Sequence, residues 1–151
     1  MIERYSLPRM RKIWEPHNKF QKWLDIEIAA CEALATLGEI PQDAVTAIKA
    51  KAKFDEKRIE EIEKETRHDV IAFLTNVAEY VGDEAKYIHL GLTSSDILDT
   101  SLSLLMKEAA EILLEDLANL KAAIRKQAQT HKYTPMIGRT HGVHAEPITF
   151  G

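Results

Sequence analysis

Histidine titrates near neutral pH, which makes it a frequent proton donor or acceptor in catalysis. This chain has six, His17, His68, His89, His131, His141 and His144, and three of the surrounding blocks are polar and loop-like: ETRHDV, YIHLGLTSSD and GRTHGVHAEP. In the last block Gly138 and Gly142 bracket Arg139, Thr140 and His141. Two flanking glycines permit a tight backbone path and close approach of a ligand. His141 therefore reads equally as a general acid or base and as a loop histidine bonded to backbone. His141 and His144 are also close in sequence, but no thiolate or carboxylate set completes a recognised ligand spacing, so no metal is expected.

The second block carries Thr93, Ser94 and Ser95 just after Gly91 and His89. At a helix start their hydroxyls have two uses. They can cap free backbone N–H groups, or they can join those N–H groups in holding a carboxylate or phosphate. The third block pairs His68 with Asp69, where Asp69 reads as a helix cap and His68 as a polar surface residue or a ligand contact. Arg4 and Tyr5 have the types to hold a phosphate, although most arginines are simply solvated. Cys31 and the Trp and Phe residues fall at helical spacing and read as core.

The elements that must position these groups read as helices almost throughout. Pro8, Pro16 and Pro41 each precede a helix-like stretch, and Gly38 reads as the stop of a helix from Asn18 to Leu37. Further helices are expected from about Gln42 to Lys53, over Asp55 to Arg67, and from Asp69 to Val81. Leu92 to Thr134 contains neither Gly nor Pro, and Leu98, Leu102, Leu105, Ala109, Leu113, Leu117, Leu120 and Ile124 step by three or four. A helix from Ser94 to about His131 would span roughly 55 Å. A globule of this length is roughly 40 Å across, so the helix is expected to find partners outside the chain. No strand pattern of comparable strength is present. The closing HAEPITFG reads as the opening of another helix with Pro147 in its first turn, so the chain is expected to be part of a longer polypeptide.

Composition narrows the function. Lys plus Arg total 20 against 24 Asp plus Glu, a net charge of -4, which does not suit a general nucleic-acid-binding domain. With a single cysteine no intramolecular disulfide is available, and a reducing, cytoplasmic compartment is expected. The start lacks the apolar region of a secretory signal, and no run approaches the length needed to cross a bilayer. Hydrophobic residues make up 45%, ordinary for a folded protein.

Taken together, RYSLPRM, TRHDVIAF, HLGLTSSDILDT and GRTHGVHAEPITFG stand in the order and spacing of one family. They resemble the adenylosuccinate lyases, a branch of the fumarase/aspartase superfamily, over the whole chain from Ile2 to Gly151. The resemblance implies an all-α fold. An N-terminal helical domain over residues 1–93 would lead into the long helices of a central bundle from residue 94, truncated at residue 151. It implies a homotetramer that releases fumarate from adenylosuccinate and from the succinyl-carboxamide ribotide of purine synthesis, by β-elimination, without metal or organic cofactor. By resemblance His141 is the acid for the leaving nitrogen, and His68, the second catalytic histidine, is a substrate-orienting or phosphate-side residue beside Asp69. His89 is an orienting histidine. Thr93, Ser94, Ser95 and Thr140 are donors to the substrate carboxylate, and Arg4 and Tyr5 hold the nucleotide phosphate. The family's catalytic serine lies on a loop beyond Gly151, so the 151 residues alone are expected to be inactive. Argininosuccinate lyase and fumarate hydratase are the nearest rivals within the superfamily. A non-catalytic helical oligomerisation module is the rival outside it.

Overall fold

Residues 2–151 are described in a computed structural model of the chain. Proline places the first helices. A 3-10 turn over Glu3–Tyr5 leads to α1 (Pro8–Ile13) and α2 (Pro16–Thr36), each opening on a proline at a position where its missing N–H is no loss. α2 ends in a Schellman turn: Gly38 has φ +77°, its N–H reaches the Ala35 carbonyl, and the Glu39 N–H reaches that of Leu34. α3 (Gln42–Lys51) follows Pro41, and α4 (Glu56–Thr66) is capped by Asp55, whose carboxylate accepts from the Arg58 N–H at 3.0 Å. α4 closes on Arg67 in the left-handed conformation, φ 54°. α5 (Asp69–Val81) stops at Gly82, a 3-10 turn covers Asp83–Tyr87, and α6 runs over Ser94–Thr130. These boundaries lie within a few residues of those read from the sequence.

Two compact units are present, Met1–Ala109 and Ala110–Gly151. The first holds the core. Phe20 and Phe73 stack with centroids 5.8 Å apart, and Trp23 meets Phe73 edge-on at 5.4 Å. Val45, Ile48, Ile59, Val70, Val77 and Ile97 fill the space around them. Two buried polar groups are satisfied within it. The Trp23 indole N–H donates to Ser101 Oγ at 3.1 Å, and Asn76 Oδ1 accepts from the Asp55 N–H at 2.8 Å. The buried stripe of α6 in this unit is Ile97, Ser101, Leu105 and Ala109. This differs from the stripe expected through Leu98 and Leu102, because Ser101 satisfies Trp23 while Leu102 stays exposed.

Lys22 and Asn18 hold Glu108 of α6, and the Lys22 ammonium keeps its carboxyl below the ordinary value near 4.5. A depressed folded-state pKa stabilises the protein above the unfolded value, and that contribution is lost as pH falls through the folded one. In the full-length protein Glu108→Gln is therefore expected to lower the thermal midpoint at pH 7. The gap from wild type should close on acidification below about pH 4. An equal gap at pH 7 and pH 3 would remove this assignment.

The second unit corrects one expectation. Residues 144–151 do not open a helix. The chain after α6 forms an antiparallel hairpin of β1 (Pro135–Thr140) and β2 (Val143–Thr149), and Pro147 stands opposite Ile137. These strands form where the sequence carries no pattern as strong as that of its helices. The hairpin loop is His141-Gly142, with φ +48° and +75°. Positive φ at both central residues is the two-residue turn that matches strand twist. The register shifts between Ile137 and Arg139, and a Cβ added at the intervening Gly138 would stand 3.1 Å from the Glu146 carbonyl oxygen. Beyond the strands, the Phe150 N–H bonds the Thr134 carbonyl and the Gly151 N–H that of His131, so the chain returns to the end of α6. No residue from Ala110 onward is fully buried. No helix among the described residues is long and apolar enough to cross a membrane.

Candidate active site

α6 begins at Ser94, so Thr93, Ser94 and Ser95 do stand at a helix N-terminus. Their hydroxyls are not what seals it. The Asp96 carboxylate reaches back to the Thr93 N–H at 2.9 Å, while the Asp96 N–H bonds the Thr93 carbonyl at 3.0 Å. Asp96 thus takes the role of the acidic partner in a capping box. None of the three hydroxyls makes a hydrogen bond among the described residues. Nor do the N–H groups of Ser94 and Ser95, which leaves donors of two kinds at the positive end of a 37-residue helix.

His89 lies four residues before that cluster, in the turn that delivers the chain to α6. Its backbone is left-handed, φ +65°, and so is that of Gly91, φ +76°. A non-glycine residue there is held by something. The holder is Glu27, on α2. Its Oε2 accepts from the His89 N–H at 2.9 Å, and its Oε1 lies 2.6 Å from His89 Nδ1. Glu27 is 1% exposed, and burial pushes its carboxyl up while the His89 ring and N–H draw it down. One turn along α2, the Cys31 thiol bonds the Tyr87 carbonyl at 3.5 Å. Burial, with Glu27 and Glu32 nearby, pushes that thiol up to about 11 from 9.0. A rise of that size leaves about a hundredfold less thiolate at pH 8. Cys31 in the folded protein is therefore expected to alkylate at least about a hundredfold more slowly at pH 8 than in urea. Comparable rates would contradict the buried setting.

His68 is itself the N-cap of α5, accepting the Ile71 N–H on Nδ1 at 3.4 Å. Asp69, expected as that cap, is instead the first helical residue, and its Oδ1 accepts from the Val70 N–H at 2.8 Å. Using Nδ1 as an acceptor places the ring proton of neutral His68 on Nε2, which faces no partner among the described residues. The Arg4 guanidinium lies 4.8 Å over the Tyr5 ring, and Tyr5 is 74% exposed. Arg4 forms no ion pair among the described residues, whereas neighbouring Glu3 binds Arg11. A cavity of about 230 Å³ is lined by Trp14, Lys19, Trp23 and Leu98 among others and by none of the candidate residues.

In the second unit Thr140 ends β1 and His141 is the first residue of the turn, where its side chain is exposed. His144 is engaged separately: its Nε2 lies 3.1 Å from Arg139 Nη2, and since the guanidinium can only donate, the imidazole accepts. No group of three or more His, Cys, Asp and Glu side chains among the described residues is arranged to hold a metal ion.

The chain thus joins His89 to the start of α6 through one turn. Among the described residues no hydrogen bond, ion pair or ring contact links the Arg4–Tyr5 pair or the His68–Asp69 pair to them. Glu27 was missed by sequence reasoning. It lies in the interior of a helix, 62 positions from His89, and its spacing carries no signal.

The sequence pattern of a family described as lyase matches residues 3–151. An adenylosuccinate lyase from Synechocystis is 66% identical over all 151 residues, and those from Bacillus subtilis and Aquifex aeolicus are 57% and 53% identical. Each alignment takes in all of this chain and 35% of the relative, so the chain spans about a third of the length of the curated relatives it matches. A crystal structure of a fumarate lyase from a Mesorhizobium species superposes with a TM-score of 0.88 at 28% identity, covering 93% of this chain and 34% of that one. A 3-carboxy-cis,cis-muconate lactonizing enzyme from Pseudomonas putida gives 0.85 at 33% identity, covering 96% and 34%.

Proposed function

This chain belongs to the lyase family, and from that premise we propose that the protein it is part of is an adenylosuccinate lyase of purine nucleotide biosynthesis. It cleaves adenylosuccinate to AMP and fumarate, and the succinyl-carboxamide ribotide intermediate to its carboxamide and fumarate. The observation that carries this reading is the 52–66% identity to adenylosuccinate lyases along the entire chain.

The reaction is a β-elimination that breaks a carbon–nitrogen bond. A base takes the proton beside a carboxylate, charge builds on that carboxylate, and the leaving nitrogen gains a proton. Donors placed in advance around the developing charge lower the barrier most. The free hydroxyls and N–H groups at the start of α6 suit that task, and Thr140 is a further donor. His141 is the acid for the leaving nitrogen, because an exposed imidazole on a tight turn can reach a bound substrate and carry a proton to it. His68 offers Nε2–H to the substrate, and His89 orients it. Arg4 and Tyr5 take the phosphate, consistent with an arginine that has no carboxylate partner among the described residues. The substrate is thus a nucleotide, and the chemistry needs neither metal nor organic cofactor.

Residues 1–93 serve as the N-terminal helical domain, and residue 94 opens the central bundle of a cytoplasmic homotetramer. The apolar residues that α6 exposes after Ala109, from Leu113 to Ile124, support that assembly. The base lies outside these 151 residues, so alone they release no fumarate. Following adenylosuccinate by ultraviolet absorbance with the full-length protein tests the reading. Failure to cleave it, with turnover of argininosuccinate instead, would move the protein to a neighbouring branch.

A further inference from the structure

A carboxylate taken out of water needs partners for its charge and its lone pairs. Glu27 is 1% exposed, and both of its oxygens go to one residue. Oε2 takes the His89 N–H at 2.9 Å and Oε1 meets Nδ1 at 2.6 Å, so a single side chain fixes both the backbone and the ring of His89. The backbone so fixed is left-handed at φ +65°. The ring so fixed is 18% exposed, and its other nitrogen, Nε2, has no partner among the described residues. One nitrogen is pinned and one is open. The Nδ1 contact is shorter than an ordinary neutral N–H···O bond, the direction in which charge assistance acts. Apart from His89, the titratable neighbour that senses Glu27 is Cys31, which is neutral at physiological pH.

We propose that Glu27 is a positioning residue for His89: its carboxylate keeps a proton on Nδ1 and sets the ring so that Nε2 is the atom that meets substrate. The second nitrogen of a working histidine is set by the bond its first one makes, and a buried carboxylate on Nδ1 is the arrangement that selects tautomer and orientation together. The proposal rests on the reading of His89 as a substrate-contacting residue of the lyase. Glu27→Gln preserves shape and one acceptor. The amide cannot accept from both the N–H and Nδ1–H through one oxygen, so its NH2 would face Nδ1 and reverse the tautomer.

The test uses the full-length protein with Glu27→Gln, His89→Ala and the double variant. It reads kcat/KM for adenylosuccinate, thermal unfolding, and the imidazole nitrogen-15 shifts. Glu27→Gln is expected to lower kcat/KM by about tenfold to a hundredfold, the usual effect of removing a partner that orients a functional ligand. In the His89→Ala background it should have no further effect, since a residue acting through His89 has nothing left to act on. The wild-type spectrum should show Nδ1 protonated, and the Gln variant should lose that state. Multiplying effects in the double variant, a change below about twofold in the single one, or an unprotonated Nδ1 would each overturn the proposal. If Glu27→Gln does not fold, the wild-type Nδ1 proton decides the matter. Absence of adenylosuccinate cleavage by the wild type would reject the functional reading instead, and the same Nδ1 proton would still decide whether Glu27 holds His89.

Discussion

Replacing His141 in the full-length protein is expected to reduce adenylosuccinate cleavage by at least about a hundredfold, the lower end of what a general acid contributes. The choice of replacement matters because His141 is also a turn residue. Its φ of +48° sits beside Gly142 at +75°. Alanine there loses the imidazole and also strains a left-handed position. Asparagine tolerates that conformation, and Asn-Gly is the preferred pair for this two-residue hairpin loop. His141→Asn therefore keeps the hairpin and removes the imidazole. A large loss in both variants assigns the loss to chemistry. Activity retained by Asn but lost in Ala would show that His141 serves the turn and that the proton comes from elsewhere, with His68 examined next. Added imidazole that restores part of the His141→Asn rate would support the acid directly.

The second large effect is on stability. Phe73 is fully buried and makes three aromatic contacts, stacked on Phe20 at 5.8 Å, edge-on to Trp23 at 5.4 Å and tilted against Phe54 at 6.2 Å. Phe73→Ala removes a ring that close-packed neighbours cannot replace, at a cost of about 3–5 kcal/mol. Phe73→Leu keeps much of the volume and should lose clearly less. Urea unfolding of the full-length protein measures both. A Phe73→Ala loss under about 1 kcal/mol would mean that the surrounding helices collapse into the gap.

Much of the helical frame could be read directly because its punctuation is local. Pro8 and Pro16 open helices, Gly38 and Gly82 close them, and the stretch from Ser94 to Thr130 lacks any breaker. The hairpin was not legible for the opposite reason. Strands β1 and β2 have no clean alternation of apolar residues, and Pro147 is as compatible with a helix start as with a two-stranded ribbon. The usable cue is the His141-Gly142 pair, whose glycine suits a two-residue hairpin loop. The candidate residues themselves lay in recognisable blocks, but their partners did not. Asp96 rather than a hydroxyl closes the start of α6, His68 rather than Asp69 caps α5, and Glu27 reaches His89 across 62 positions. Such pairings are set by tertiary packing, which no local spacing encodes.

The uneven placement of the core has a consequence for the order in which the molecule matures on the ribosome. Every buried side chain belongs to Met1–Ala109, so the contacts that stabilise this unit are all available once that length has been synthesised. The stretch from Ala110 to Gly151 has no buried residue, and an isolated two-stranded hairpin is marginal in water. Its turn, with Thr140 and His141, takes its shape from the strand pairing and from the two backbone bonds that return the chain to the end of α6. Synthesis therefore completes the scaffold that sets His89 well before it completes the support for His141. A nascent chain stalled between those points would protect the first from proteolysis and leave the second open to it.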